Sequence, residues 1–224
     1  MAQHLKPILC LVLALAALYS TEAMDFAVSN NAGNSIGAAR FDKEIGADYA
    51  KQTLTSSYQF IHSLFEHSNV RSVQNVNMVV EIIDGVTFAS NNTIHVSAEY
   101  IETYPTDVKK EITGLLYHEM AHILLLHGNG QAPSGLIEGM ADFVRLKAGY
   151  APDYWSPPGV GYDWGQGYEV TAQFLNYCDC IKNGFVVELN KKMKSGYSEG
   201  YFTELLGKPV TDLWSDYQYM YRNK

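Results

Sequence analysis

Disulfide chemistry has almost nothing to work with in this chain. Three cysteines occur in 224 residues: Cys10 within an N-terminal apolar stretch, and Cys178 and Cys180, whose spacing on a helix would point them to opposite sides. A disulfide framework is excluded, so the fold must rest on a hydrophobic core, and a chain of this length can bury roughly 70% of its unfolded surface. Long apolar runs are equally scarce. Ile8 to Leu18 comes closest and is about half the ~20 residues that a membrane-crossing helix needs. Cations are outnumbered, 16 Lys and Arg against 24 Asp and Glu, and a net charge of −8 argues against nucleic acid as a partner. Internal repeats, low-complexity tracts and long charged runs are missing, and Pro and Gly are scattered rather than pooled into a linker, which predicts one domain. The composition, 47% hydrophobic and 18% charged, is that of an ordinary globular protein and excludes disordered, collagen-like and coiled-coil chains.

The N-terminus has the pattern of a secretory signal peptide. Lys6 supplies a cation, Ile8 to Leu18 are almost all apolar, and Thr21-Glu22-Ala23 offers small residues at the cleavage positions. Residues 1–23 are therefore expected to be removed, leaving a secreted, monomeric domain over residues 24–224 with no membrane attachment. Asn91-Asn92-Thr93 is an acceptable N-glycosylation sequon, with Asn91 as acceptor.

Strands precede helices along the chain. Phe26 to Val28 is a short strand candidate, and Glu44 to Phe65 carries apolar residues at helical spacing. Val76 to Ile83 and Val86 to Ala89 read as strands, and Thr93 to Val96 after Ser90-Asn91-Asn92 suggests a hairpin. Asp107 caps a long helix that Gly128-Asn129-Gly130 stops. A second helix is expected from Ser134 as N-cap to Ala148, and a third from Gly167 to Lys182. Shorter helices follow over Phe185 to Lys194, Glu199 to Leu206 and Val210 to Tyr221. This order defines an α+β fold: a small N-terminal mixed sheet, then a helical C-terminal half.

The long helix contains His118-Glu119-Met120-Ala121-His122. Its imidazoles lie one turn apart, about 40° around the axis, and can share one metal ion. Glu119 projects from the neighbouring flank, where it can reach a water held by the ion, the position a general base requires. The third ligand is expected from the next helix, where Glu138 and Asp142 stand four apart on one face. Glu138 would ligate, and Asp142 would accept the other N–H of His118 and fix its tautomer. The metal would be zinc, held by His118, His122, Glu138 and a water. The short histidine motif alone arises by chance in roughly one sequence in a hundred of this length. His127 falls one residue short of the register that would make it a third ligand and is read as a cation at the helix C-terminus. His62, His67 and His95 have no ligand spacing. Arg145 and Lys147 are expected on the solvent side of the second helix or paired with a carboxylate, and Trp155, Trp164 and Trp214 in the core.

These residues resemble the plant basic secretory protein family. The likeness is carried by Tyr117 to His122, Gly128 to Pro133 and Gly135 to Tyr150, and continues through Trp164 to Ala172, Asn183 to Phe185 and Leu213 to Tyr217, with Arg40 to Gly46 matching the start. The resemblance implies a zincin-type fold with a glutamate ligand and a zinc-dependent peptidase secreted to the plant apoplast in pathogen defence. Two departures stand out: the chain is acidic where the family name says basic, and Ile123 to Leu126 replaces a stretch with Trp and Gln.

For such an enzyme, zinc brings the pKa of its water toward ~7, and Glu119 takes the proton as the water attacks a peptide carbonyl. Tyr168 is the nominee for oxyanion donor, with Tyr162 and Tyr154 behind it. Thr93 to Ser97 is expected to be the sheet edge along which a peptide or protein substrate adds as a strand, and the Pro- and Gly-rich residues 151–166 could close over the site. A catalytically silent defence or binding protein on the same scaffold is the rival reading, and retention of Glu119 argues against it.

Overall fold

The computed structural model describes residues 24–222; the expected signal peptide lies outside the described residues. In chain order the elements are β1 (Asp25–Asn30), α1 (Ile36–Glu44), α2 (Ala47–Phe65), β2 (Asn75–Glu81), β3 (Thr87–Ser90), β4 (Thr93–Ser97), α3 (Ala98–Thr103) and α4 (Val108–Leu124), followed by α5 (Ser134–Lys147), α6 (Tyr168–Ile181), α7 (Phe185–Lys192), α8 (Gly200–Leu206) and α9 (Val210–Arg222). The protein is α+β, with a small mixed sheet and a helical majority. None of the described helices is long and apolar enough to cross a membrane.

The sheet order is β1-β2-β4-β3, parallel except for the antiparallel β3–β4 pair. Central β2 buries Val76, Met78, Val79 and Val80, the near-continuous apolar run of a strand covered on both faces. The β3–β4 hairpin turns on Asn91 and Asn92, both at positive φ (49° and 58°), a conformation that asparagine tolerates and two-residue hairpin loops demand. Asn91 is exposed at the hairpin tip. The pairing overturns the expected substrate edge: β4 lies between β2 and β3, and the edges are β3 on that side and β1 on the other.

Helices α1 and α3 were not legible in the sequence. Helix α1 is capped by Ser35, whose hydroxyl accepts from the Ala38 amide, and it buries mostly small residues, Gly37 and Ala38 beside Phe41, which leave little apolar periodicity to read. A Cβ on Gly37 would stand 1.8 Å from the Ala98 carbonyl oxygen at the start of α3. The helix expected from Glu44 begins instead at Ala47, because Gly46 breaks the chain with φ 79°.

Helix α4 is capped by Asp107, which accepts from the Lys110 amide at 2.9 Å, as its sequence predicts. It ends at Leu124, before the glycines expected to stop it. Long-range partners take over there: the Arg71 amide donates to the Leu124 carbonyl at 2.7 Å, and Asn190 accepts from the Leu126 amide at 2.9 Å. The N-cap of α5 is Pro133 rather than Ser134, with no side-chain cap.

Helices α4, α5 and α6 form the layer that carries the site. Gly139 of α5 allows α6 to approach so closely that a Cβ there would lie 2.3 Å from Cγ2 of Thr171. Thr171 is fully buried and cannot swing away freely, since its hydroxyl donates to the Trp164 carbonyl at 2.7 Å and accepts from the Gly167 amide at 2.8 Å. Gly139→Ala is therefore expected to destabilise the fold by about 2 kcal/mol through overpacking. The expected sign is a lower urea midpoint at unchanged slope, and an unaltered midpoint would show that the α5–α6 contact yields.

Candidate metal centre

Helices α4 and α5 run antiparallel, and their facing residues meet in successive pairs. Nε2 of His118 lies 3.0 Å from Nε2 of His122, and Oε2 of Glu138 stands 3.3 Å from each. These three side chains could hold a metal ion. Two imidazoles and a carboxylate are a donor set suited to zinc, and neighbouring ligands of a tetrahedral ion with bonds of ~2.0–2.2 Å are about 3.3 Å apart. The residues thus fit a metal in both chemistry and spacing.

One turn along, Nδ1 of His118 lies 2.7 Å from Oδ1 of Asp142, both side chains being buried. Burial disfavours a charge on His118, yet the hydrogen bonds to Asp142 and Glu138 outweigh it and raise its pKa to about 10. The same two imidazoles hold the Glu138 carboxyl far below its usual range, against the effect of its own burial. Asp142 thus meets His118 at Nδ1, on the opposite side of the ring from the Nε2 that faces Glu138.

Glu119 is 3% exposed. Its Oε1 accepts from the Thr87 hydroxyl of β3 at 2.6 Å, whereas Oε2 is buried with no hydrogen-bond partner. Tyr168 opens α6 at φ 46°, a strained backbone for a non-glycine residue. Its half-exposed ring stacks on His118, with centroids 6.3 Å apart and planes 8° from parallel. The Glu138 carboxylate, then burial, with Asp142 and Glu119 adding, raises the pKa of the Tyr168 phenol, so it carries its proton at neutral pH.

All of these groups line one cleft of about 620 Å³, walled on one side by Val86 and by Thr87 to Ala89 of β3. Of the other expectations, some hold and some change. His127 lies beyond the end of α4, its ring 6.4 Å from that of His122, and burial together with His122 lowers its pKa, so it is neither a ligand nor a helix-terminal cation. Tyr162 is 83% exposed and does not line the cleft; Tyr154 does. Trp164 and Trp214 are core residues, but Trp155 lines the cleft. Lys147 pairs with Asp179, while Arg145 is buried and pairs with Glu111 at 2.8 Å. Thr87 and Glu111 escaped the sequence reading. Glu111 had a signal, since it stands seven residues before His118 on the same helical face.

The family described as "Peptidase of plants and bacteria" matches residues 21–217, and the chain belongs to it. A basic secretory protease from Boswellia serrata is 36% identical over 59 residues, which cover 26% of this chain and 67% of that protein. No solved structure matches the chain. Membership assigns a proteolytic enzyme, and the resemblance to basic secretory proteins holds.

Removing the hydrogen bond that orients a ligating imidazole commonly weakens metal binding 10- to 100-fold. Asp142→Asn is expected to lose roughly that factor in divalent-metal affinity, measured by chelator competition. Unchanged affinity would mean that Asp142 does not orient His118.

Proposed function

We propose that the chain is a secreted zinc metallopeptidase of zincin type, acting on peptide or protein substrates in plant defence, with His118, His122 and Glu138 as ligands and Glu119 as general base. Secretion is supported by the apolar Ile8 to Leu18 stretch and by the name of the Boswellia relative. The observation that carries the catalytic reading is Glu119: a buried carboxylate with one oxygen pinned by Thr87 and the other unpartnered, beside three converging metal donors. A buried polar atom without a partner is costly, and a reacting water would satisfy it.

Zinc held there would supply a Lewis acid to polarise the scissile carbonyl and to acidify the attacking water. Glu119 takes the proton of that water through Oε2 and delivers it to the leaving amine. Because Thr87 belongs to edge strand β3, the base is tied to the strand on which an extended peptide would add. Tyr168, protonated and stacked beside His118, donates to the oxygen that becomes negative. Its strained backbone accords with a residue held for chemistry.

Peptide-library cleavage read by mass spectrometry tests the proposal. The zinc-loaded mature protein should cut, a chelator should stop it, and Glu119→Gln should lose roughly 10²- to 10⁴-fold in rate. No cutting by the wild type, or cutting undiminished by chelation, would overturn the zinc peptidase. Tyr168→Phe should lower kcat by about 10²-fold with KM little changed, and an unaffected kcat would remove Tyr168 from the mechanism.

A further inference from the structure

The cleft does not end at the metal ligands. Along α4 it continues past Leu115 to Glu111, and along α5 past Asp142 to Arg145, where Tyr100, Tyr154 and Trp155 enclose a chamber. Its end wall is a polar cluster centred on Glu111, whose carboxylate accepts four hydrogen bonds. Glu111 accepts at Oε1 from the hydroxyls of Tyr100 and Tyr154, both at 3.0 Å, and at Oε2 from Tyr104 at 3.3 Å and Arg145 Nη2 at 2.8 Å. Arg145 also donates through Nε to the Tyr150 carbonyl at 3.0 Å. Gly114 makes room for this arrangement, since a Cβ there would lie 2.5 Å from Arg145 Nε.

The chemistry of this wall is selective. Burial, with the adjacent Glu111 charge, raises the pKa of the Tyr100 phenol and pushes that of Tyr154 up to about 12, so both hydroxyls keep their protons and spend them on Glu111. They offer a visitor lone pairs only. Arg145 offers a donor, Nη1, which neither of its bonds uses. A cation would meet the guanidinium and a carboxylate with no lone pair to spare; an anion could take Nη1 but would face Glu111 beside it and, toward the metal donors, Glu119 and Asp142. The side walls are flat and aromatic.

Strand direction fixes which substrate residue reaches the chamber. Thr87 is bonded to Glu119, and Ala89 and Ser90 border His122, so β3 runs in the same direction as α4. A peptide adding antiparallel to β3, the slightly more stable pairing, runs from the His122 end toward Glu111.

We propose that the Glu111–Arg145 chamber binds the residue following the scissile bond and selects a flat, neutral side chain whose end both donates and accepts, tyrosine or glutamine, over phenylalanine, lysine and glutamate. This rests on the peptidase reading, and its test has a binding arm that does not. Peptides differing only in that residue are titrated calorimetrically into zinc-loaded Glu119→Gln protein and digested by the wild type. Tyrosine and glutamine should bind about tenfold more tightly than phenylalanine, roughly the worth of one good hydrogen bond, with the charged residues weakest. Trp155→Leu should weaken tyrosine and phenylalanine about three- to tenfold relative to glutamine, the scale of an aromatic contact; an equal loss for all three would assign Trp155 a structural role and remove it from the pocket. Equal binding of tyrosine and phenylalanine, or preference for a charged residue, overturns the selectivity. Discriminating binding without cleavage by the wild type sinks the peptidase and leaves the pocket standing. Cleavage with the preferred residue before the scissile bond overturns the strand direction.

Discussion

Helix α4 carries polar and ionisable groups through the interior of the molecule, and the surrounding structure is organised by the need to partner them. Glu111, Thr113, His118 and Glu119 are each no more than 6% exposed. A buried charge or hydroxyl without a partner costs several kcal/mol, comparable to a sizeable part of the stability of a whole domain. The partners come from different elements: Arg145 and Asp142 from α5, Thr87 from β3, Tyr100 from α3, and Tyr49 of α2, whose hydroxyl lies 2.8 Å from that of Thr113. The polar atoms of one helix thereby set the positions of four neighbours.

This arrangement has a register. Glu138, Asp142 and Arg145 follow the i, i+4, i+7 face of α5, and they meet the same face of α4 read backwards: His122 with His118, then His118, then Glu111. Gly114 permits the close approach beneath Arg145, while Gly139 does the same for α5 against α6. Metal donors, orienting carboxylate and ion pair are thus successive rungs of one helix pair. The gap in the ladder is Oε2 of Glu119, a buried oxygen without a partner on a residue that lines the cleft.

Much of this is legible in the sequence. The spacing of His118, Glu119 and His122 and of Glu138 and Asp142 is a local property of two helices, and helical faces follow from a 3.6-residue period alone. Asp107 as a cap and the Asn91-Asn92 turn were likewise local. What failed was whatever depended on distant chain. The C-terminus of α4 is taken up by Arg71 and Asn190, residues far away in sequence, and no glycine was needed to stop it. Which strand forms the edge is a matter of sheet order: β4 pairs with β2 on one side and β3 on the other, an arrangement the hairpin signal does not contain. For Arg145 the sequence allows the solvent side or a carboxylate partner; the pairing holds, with Glu111, but its burial follows only from Gly114 on the facing helix, which leaves space for the guanidinium.

The Glu111–Arg145 cluster is the part of this interior that stability explains least. Replacing a buried ion pair by well-packed apolar residues is often neutral or stabilising, whereas losing one partner costs about 3–5 kcal/mol. A core that needed only to hold α4 against α5 would do as well with leucine at both positions. The pair lines the same cleft as the metal donors, and three tyrosines complete its hydrogen bonds. Such a wall holds its polar atoms fixed before any ligand arrives, so a side chain with matching groups binds without first reorganising them, and one lacking them leaves a donor unpaired. Recognition gives this pair a reason that packing does not.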